Sequence, residues 1–188
     1  CIFQDFEVNG NVNAVSLVYV SGTSGDYTSD ITINNCDLHN AHNGNNAGFG
    51  IYGFYNNGLK ILYTDIHNVA LDGMYLKFEP NIEIGYCNIY DINRRFFNNS
   101  NQTYSSGDGI QLDGTYDGFH IHHTTIDRTN GAGNKYSLIL NSAPGLSDNA
   151  FGIIEYCTFI NGSNVAEAVL IERGKGIITR YNTFKGNT

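Results

Sequence analysis

The chain has 188 residues, 41% of them hydrophobic and only 15% charged, with a formal net charge of −8. That length supports one domain with a core of its own. The acidic balance argues against nucleic acid or an anionic membrane surface as partner, and no apolar run reaches transmembrane length.

In chain order one phrase recurs: two alternating apolar residues, two polar ones, a Cys or Thr, any residue, then a large apolar residue. It reads DITINNCDLHN at 30–40, GLKILYTDIHN at 58–68, NIEIGYCNIYD at 81–91, GFHIHHTTIDR at 118–128, FGIIEYCTFIN at 151–161 and KGIITRYNTFK at 175–185, with a partial copy, CIFQD, opening the chain. The closing apolar position is Phe3, Leu38, Ile66, Ile89, Ile126, Phe159 and Phe184. From Ile66 to Ile89 is 23 residues and from Ile89 to Ile126 is 37. A constant phrase with a variable spacer implies fixed strands and variable loops, which is a solenoid.

A second strand precedes each phrase: SLVYVS at 16–21, GIYGF at 50–54, GMYLKF at 73–78, GIQLD at 109–113, YSLILN at 136–141 and AVLIE at 168–172. Both sets alternate with period two, the pattern of strands with one buried face. One repeat cannot bury its own apolar residues, whereas stacked coils build columns of like residues into a continuous core. Parallel crossovers are overwhelmingly right-handed. The expectation is therefore an all-β, right-handed parallel β-helix of about six to seven coils, a single domain over 1–188 with a loop insertion at 92–107. Neither end reads as a cap, so a piece of a longer solenoid is expected.

Two places after the closing apolar position come Asp5, Asn40, Asn68, Asp91, Arg128, Asn161 and Gly186, of which the five Asn and Asp residues are read as a turn ladder. The four cysteines are read onto one column: Cys1, Cys36, Cys87 and Cys157, alternating with Thr64 and Thr124. Cys36, Cys87 and Cys157 lie two coils apart, roughly 9–10 Å by strand spacing, too far for a disulfide. They are expected as free, buried thiols filling small apolar spaces.

The chemistry is sought on the outward face of the second strand set. Coil by coil, its exposed positions are Tyr19, Tyr52, Tyr75, Gln111, Ile139 and Leu170, then Ser21, Gly53, Lys77, Asp113, Asn141 and Glu172. Three tyrosines in a row beside Lys77, Asp113 and Glu172 form a candidate sugar-binding track, and tyrosine also serves simply as a good strand residue. Asp72 and Asp108, each in an Asp-Gly before a strand, occupy equivalent places on neighbouring coils. They are candidate acid–base carboxylates with Asp113, candidate Ca²⁺ ligands, or turn residues. Lys77 with Ca²⁺ on Asp72 and Asp108 would suit a β-elimination lyase; apart from such an ion, no cofactor is expected. Arg94 and Arg95 sit in the long insertion, where substrate contacts often collect. His120 and His122 leave one strand on the same side, either as a polar strand face or as a small metal or proton-transfer site.

With DGIQLDG at 108–114 followed by HIHHTTI at 120–126, and ALDGMYL followed by NIEIGYCNI at 81–89, the chain resembles the pectin-lyase-like superfamily of right-handed parallel β-helices. The resemblance spans nearly the whole chain and implies a carbohydrate role for a secreted or cell-surface protein. Lyases, epimerases, hydrolases, tailspikes and non-catalytic surface proteins share that architecture. The reading that follows is a protein that cleaves or modifies a polysaccharide. Its rival is a non-catalytic glycan-binding adhesin, filament segment or tailspike, the last implying a trimer.

The columns make a direct prediction. Ile89→Asp would bury an unpaired charge between Ile66 and Ile126, cost several kcal/mol and unfold the adjacent coils, read as loss of the native β signal and melting point in circular dichroism.

Overall fold

The computed structural model describes residues 1–10, 14–41, 48–92, 107–114, 116–130, 136–141, 151–162, 167–172 and 174–186. The described residues form 22 strands and no helix. Two seven-stranded sheets and one six-stranded sheet carry almost all of them. The chain contributes one strand to each long sheet per coil, and neighbouring coils pair in parallel. This is a parallel β-helix.

The first sheet runs from Ile2–Gln4 through Thr32–Asn34, Lys60–Leu62, Glu83–Gly85, Phe119–His122 and Gly152–Glu155 to Ile177–Arg180. The second runs from Glu7–Asn9 through Asp37–His39, Asp65–Val69, Asn88–Ile92, Thr125–Arg128 and Thr158–Asn161 to Thr183–Gly186. The third holds Ser16–Ser21, Phe49–Phe54, Met74–Lys77, Ile110–Asp113, Leu138–Asn141 and Val169–Ile171. Leu38, Ile66, Ile89, Ile126 and Phe159 stack in one register as expected, all fully buried. Ile33, Ile61, Ile84, Ile121 and Ile154 do the same in the first sheet. Each such side chain contributes about 1.5–3 kcal/mol of burial, but only when its neighbours above and below are in place.

Gly50, Gly73 and Gly109 start successive strands of the third sheet where the isoleucine column of the second sheet presses closest. A Cβ at these positions would collide with the side chains of Ile66, Ile89 and Ile126 respectively and with the backbone of the next coil. The glycine of each Asp-Gly is therefore a packing requirement.

The corner between the first and second sheets explains the phrase. Its hinge residue adopts a left-handed conformation in every coil: Asn35 (φ 51°), Tyr63 (50°), Tyr86 (56°), His123 (48°), Tyr156 (54°) and Tyr181 (57°). The next residue closes the corner by donating to the carbonyl two places back. Cys36 Sγ donates to Asn34 O (3.1 Å), Thr64 Oγ1 to Leu62 O (2.9 Å), Cys87 Sγ to Gly85 O (3.3 Å), Thr124 Oγ1 to His122 O (3.0 Å) and Cys157 Sγ to Glu155 O (3.3 Å). Cys and Thr alternate because each is a short side chain with one donor. The thiols are buried and free, as expected, but they are corner-closing donors as well as apolar filler. Burial pushes Cys87 up to about 12 and Cys157 to about 11, so both keep the proton they donate.

The first coil departs from the expected alignment. Phe3 pairs with Ile33, and it is Val8 that pairs with Leu38. Phe6 thus takes the Cys place, and Cys1 is exposed. Two period-two strands sit inside one phrase, so a truncated copy fits either of them. Asp5 (φ 59°) consequently belongs to the hinge column, where its Oδ1 accepts from Asn35 Nδ2 at 2.7 Å. Of the expected turn ladder, Asn40 (φ 63°), Asn68 (53°) and Asp91 (50°) take the left-handed conformation, while Arg128, Asn161 and Gly186 do not and continue their strands.

Cys87→Thr should leave the melting temperature within a degree or two, whereas Cys87→Ala, which removes the thiol donor and leaves the Gly85 carbonyl only the Tyr63 N–H, should cost about 1 kcal/mol. Thermal denaturation of the two variants distinguishes a closing donor from mere filler.

Candidate functional site

The outward row of the third sheet is in the expected register, Tyr19, Tyr52, Tyr75, Gln111, Ile139 and Leu170, but Ile139, expected to be exposed, is buried. Tyr19 and Tyr52 stack with centroids 5.7 Å apart, Tyr52 and Tyr75 at 5.4 Å. Phe49 packs against Tyr52 at 4.8 Å on one side and Phe54 at 4.8 Å on the other. The result is an aromatic platform whose end, Tyr19, is 61% exposed. The next outward row needs one correction. Gly53 pairs with Val20 and Leu76 in the buried row, and Phe54 stands outward beside Ser21 and Lys77. The sheet alternates strictly, so the count from Tyr52 puts Phe54 on the face.

The platform ends in a polar group. Tyr75 OH donates to Asp113 Oδ2 at 3.0 Å, and Lys77 Nζ lies 3.6 Å from the same oxygen. Burial, reinforced by the Asp113 charge, raises the Tyr75 hydroxyl well above its ordinary value, so it remains a neutral donor. Both contacts fall on Oδ2; Oδ1 of Asp113 carries no partner among the described residues. Asn141 and Glu172 follow Asp113 in the same row, which places Glu172 two coils away, roughly 9–10 Å by strand spacing. Beneath them Tyr116 is buried and pushed up to about 12 by desolvation, then by Asp113 and Glu172. Arg94 and Arg95 lie outside the described residues.

Asp72 and Asp108 occupy equivalent places, as expected, but not on the face. Both are buried. Asp72 Oδ1 accepts the backbone N–H of Asp108 at 2.5 Å, and Asp108 Oδ1 accepts that of Tyr136 at 2.8 Å. The balancing cation is the fully buried Arg128, whose Nη1 donates to the carbonyls of Gly107 (2.8 Å) and Tyr136 (2.7 Å). Burial lowers the Arg128 pKa, and the charges of Asp108 and Asp72 oppose that shift. Each carboxylate thus ties one coil to the backbone of the next. Among the described residues no three or more His, Cys, Asp or Glu side chains are arranged to hold a metal ion. Arg128 is a miss of sequence reading, because its place in the phrase suggested a turn.

On the first sheet, His120 and His122 do share the outward side. Nε2 of His120 meets Glu155 at 2.9 Å, and Nε2 of His122 meets Glu83 at 3.4 Å. Lys60 holds Glu83 at 2.8 Å and Arg180 holds Glu155 at 2.7 Å, which keeps both carboxylates below their usual range. Desolvation, with His120 beside it, lowers the His122 pKa.

No protein-family model matches the chain, and no curated protein sequence matches it. Among solved structures, the complex of XylC with xylose superposes on it with a TM-score of 0.57 at 13% identity, over 97% of this chain and 34% of that one. At such identity the likeness establishes the fold alone, and this chain spans about a third of the XylC length. Among the described residues no helix is long and apolar enough to cross a membrane.

One buried acid near the platform has a measurable signature. Glu79 is 1% exposed, takes a 2.8 Å hydrogen bond from Asn56 Nδ2 on Oε1, and leaves Oε2 without a partner. Desolvation pushes it up from 4.5 to about 8. The folded state therefore holds this proton where the unfolded chain has lost it. Its contribution is fully present below pH 4.5 and is lost as pH rises toward 8. Glu79→Gln, permanently neutral, should match the wild type near pH 4.5 and gain a widening melting-temperature advantage that levels off above pH 8; thermal scans across that range check it.

Proposed function

We propose that the outer face of the third sheet binds a glycan chain and that the protein cleaves or modifies it, with Asp113 as the acid–base residue. The observation that carries this reading is the Asp113 carboxylate at the end of the aromatic platform, itself only 9% exposed, one oxygen held by Tyr75 and Lys77 and the other without a partner among the described residues. Aromatic side chains bind the apolar faces of sugar rings, and the tyrosine hydroxyls supply hydrogen bonds at the rim. Gln111, one strand further, adds an amide to the same row. Lys77 Nζ, 3.6 Å from Asp113 Oδ2, sets a positive charge beside the carboxylate. Glu172 is the nearest second carboxylate in that row, and a separation of roughly 9–10 Å by strand spacing suits inversion with a water between the two groups. Asp72 and Asp108, committed to buried turns, take no part in the reaction. The solution of XylC as a sugar complex on the same fold supports a carbohydrate as the ligand, and a secreted or cell-surface protein would meet such chains.

A second reading, glycan binding without turnover, is favoured by the loss of Asp72 and Asp108 from the face, which leaves Asp113 without an adjacent carboxylate partner. Incubation with a polysaccharide panel, following reducing ends and unsaturated products, separates the two. Catalysis predicts products with the wild type, at least a 10²-fold lower rate for Asp113→Asn, and retained binding in that variant. Binding alone predicts no product and affinity lost in Tyr52→Ala. Neither product nor binding across the panel rejects both.

A further inference from the structure

Successive residues of a strand point to opposite sides, so His122 and His123 should not meet. They do here because His123 is the left-handed hinge (φ 48°), which swings its ring back over the first sheet. Nδ1 of His122 and Nδ1 of His123 end 3.1 Å apart. The slot for the His122 ring exists because residue 85 is glycine: a Cβ there would collide with the imidazole. Glu83, itself held by Lys60, faces Nε2 of His122 and fixes that nitrogen as the protonated one, which directs the Nδ1 lone pair toward His123.

Other histidines of the protein are arranged differently. His39 has Glu7 on Nε2 at 2.8 Å and the Asn40 amide on Nδ1 at 2.8 Å; His67 has Asp37 at 3.0 Å and the Asn68 amide at 3.2 Å. There a carboxylate and an amide serve the two ring nitrogens. At His122 the amide is replaced by a second imidazole, and two nitrogens of the same type converge.

We propose that His122 and His123 form a two-imidazole site for a divalent transition-metal ion of the copper, nickel or zinc class, water completing its shell. With metal–nitrogen bonds of about 2.0–2.1 Å, donors 3.1 Å apart subtend roughly 100°, between the square-planar and tetrahedral angles. Imidazole is the side chain these ions favour. The Glu83 contact is the carboxylate behind a ligating histidine that orients the ring and raises its basicity. The surrounding charges cancel in pairs, Lys60 with Glu83 and Arg180 with Glu155, so no net positive charge opposes the ion. The site lies on a different sheet from the aromatic platform and does not depend on the glycan reading.

The test titrates the intact protein with Cu²⁺ and separately with Zn²⁺ by calorimetry, and records the electron paramagnetic resonance of the copper form for imidazole-nitrogen hyperfine structure. His123→Asn is the informative variant, because Asn35 holds the same hinge conformation in an earlier coil (φ 51°) and the corner should still form. The expected result is one ion per chain with two-nitrogen hyperfine structure, lost in His123→Asn. His39→Asn should leave it unchanged, and Glu83→Gln should weaken it about 10–100-fold. No uptake by the wild type, or equal uptake by a His123→Asn variant with a native melting temperature, overturns the proposal.

Discussion

The whole molecule depends on one corner. Between the first and second sheets the chain turns on a single left-handed residue, and the following Cys or Thr fastens the turn by donating to the carbonyl two residues back. A left-handed conformation is costly for a side chain as large as tyrosine. In five consecutive coils the cost is offset by stacking: Tyr63, Tyr86, His123, Tyr156 and Tyr181 lie ring on ring with centroids 4.7–5.0 Å apart. Because the corner has the same shape in every coil, each strand starts at the same height above its predecessor. The isoleucine columns, the aromatic platform and the histidine contacts all inherit that register.

The second organising element is a buried charge. Arg128 brings a guanidinium into the interior, and Asp72 and Asp108 stand within its electrostatic reach while accepting backbone N–H groups. A lone buried charge would be expensive; here Nη1 donates twice and opposite charges stand nearby, while Nε and Nη2 have no partner among the described residues. The arrangement also sorts the acidic residues. Asp72 and Asp108 serve the scaffold, whereas Asp113, three strand positions after the glycine–isoleucine pair that follows Asp108, lies in the outward row. Side-chain direction, not acidity, separates the two roles.

The outer faces of the three sheets differ in kind although they share one scaffold. The third carries rings that end in a carboxylate. The first carries cation–carboxylate–imidazole chains, Lys60–Glu83–His122 and Arg180–Glu155–His120, meeting ring against ring at 4.3 Å. The second carries the stack of His39, His67 and Tyr90, with its nitrogens closed by carboxylates and amides. In a solenoid a residue repeated at one place becomes a continuous row along the axis, so each face acquires a chemistry of its own.

By itself the sequence determined the class of fold, the inward columns and the outward tyrosine row, because all three follow from a period of two repeated in a recognisable phrase. Leu38, Ile66, Ile89, Ile126 and Phe159 could be aligned by eye, and burial enforces that alignment. The sequence did not determine the register of the first coil, where CIFQDFEVN offers two period-two strands and only pairing with Thr32–Asn34 selects between them. Nor did it reveal that Arg128 goes inward, that Asp72 and Asp108 turn under the strand, or that His122 and His123 meet. These depend on backbone direction at a corner and on which neighbour supplies the compensating charge or the missing Cβ. The contacts of Asp72, Arg128 and Glu83 that set these directions join residues some 20 to 40 positions apart, and only the stacking of one coil on another brings them together.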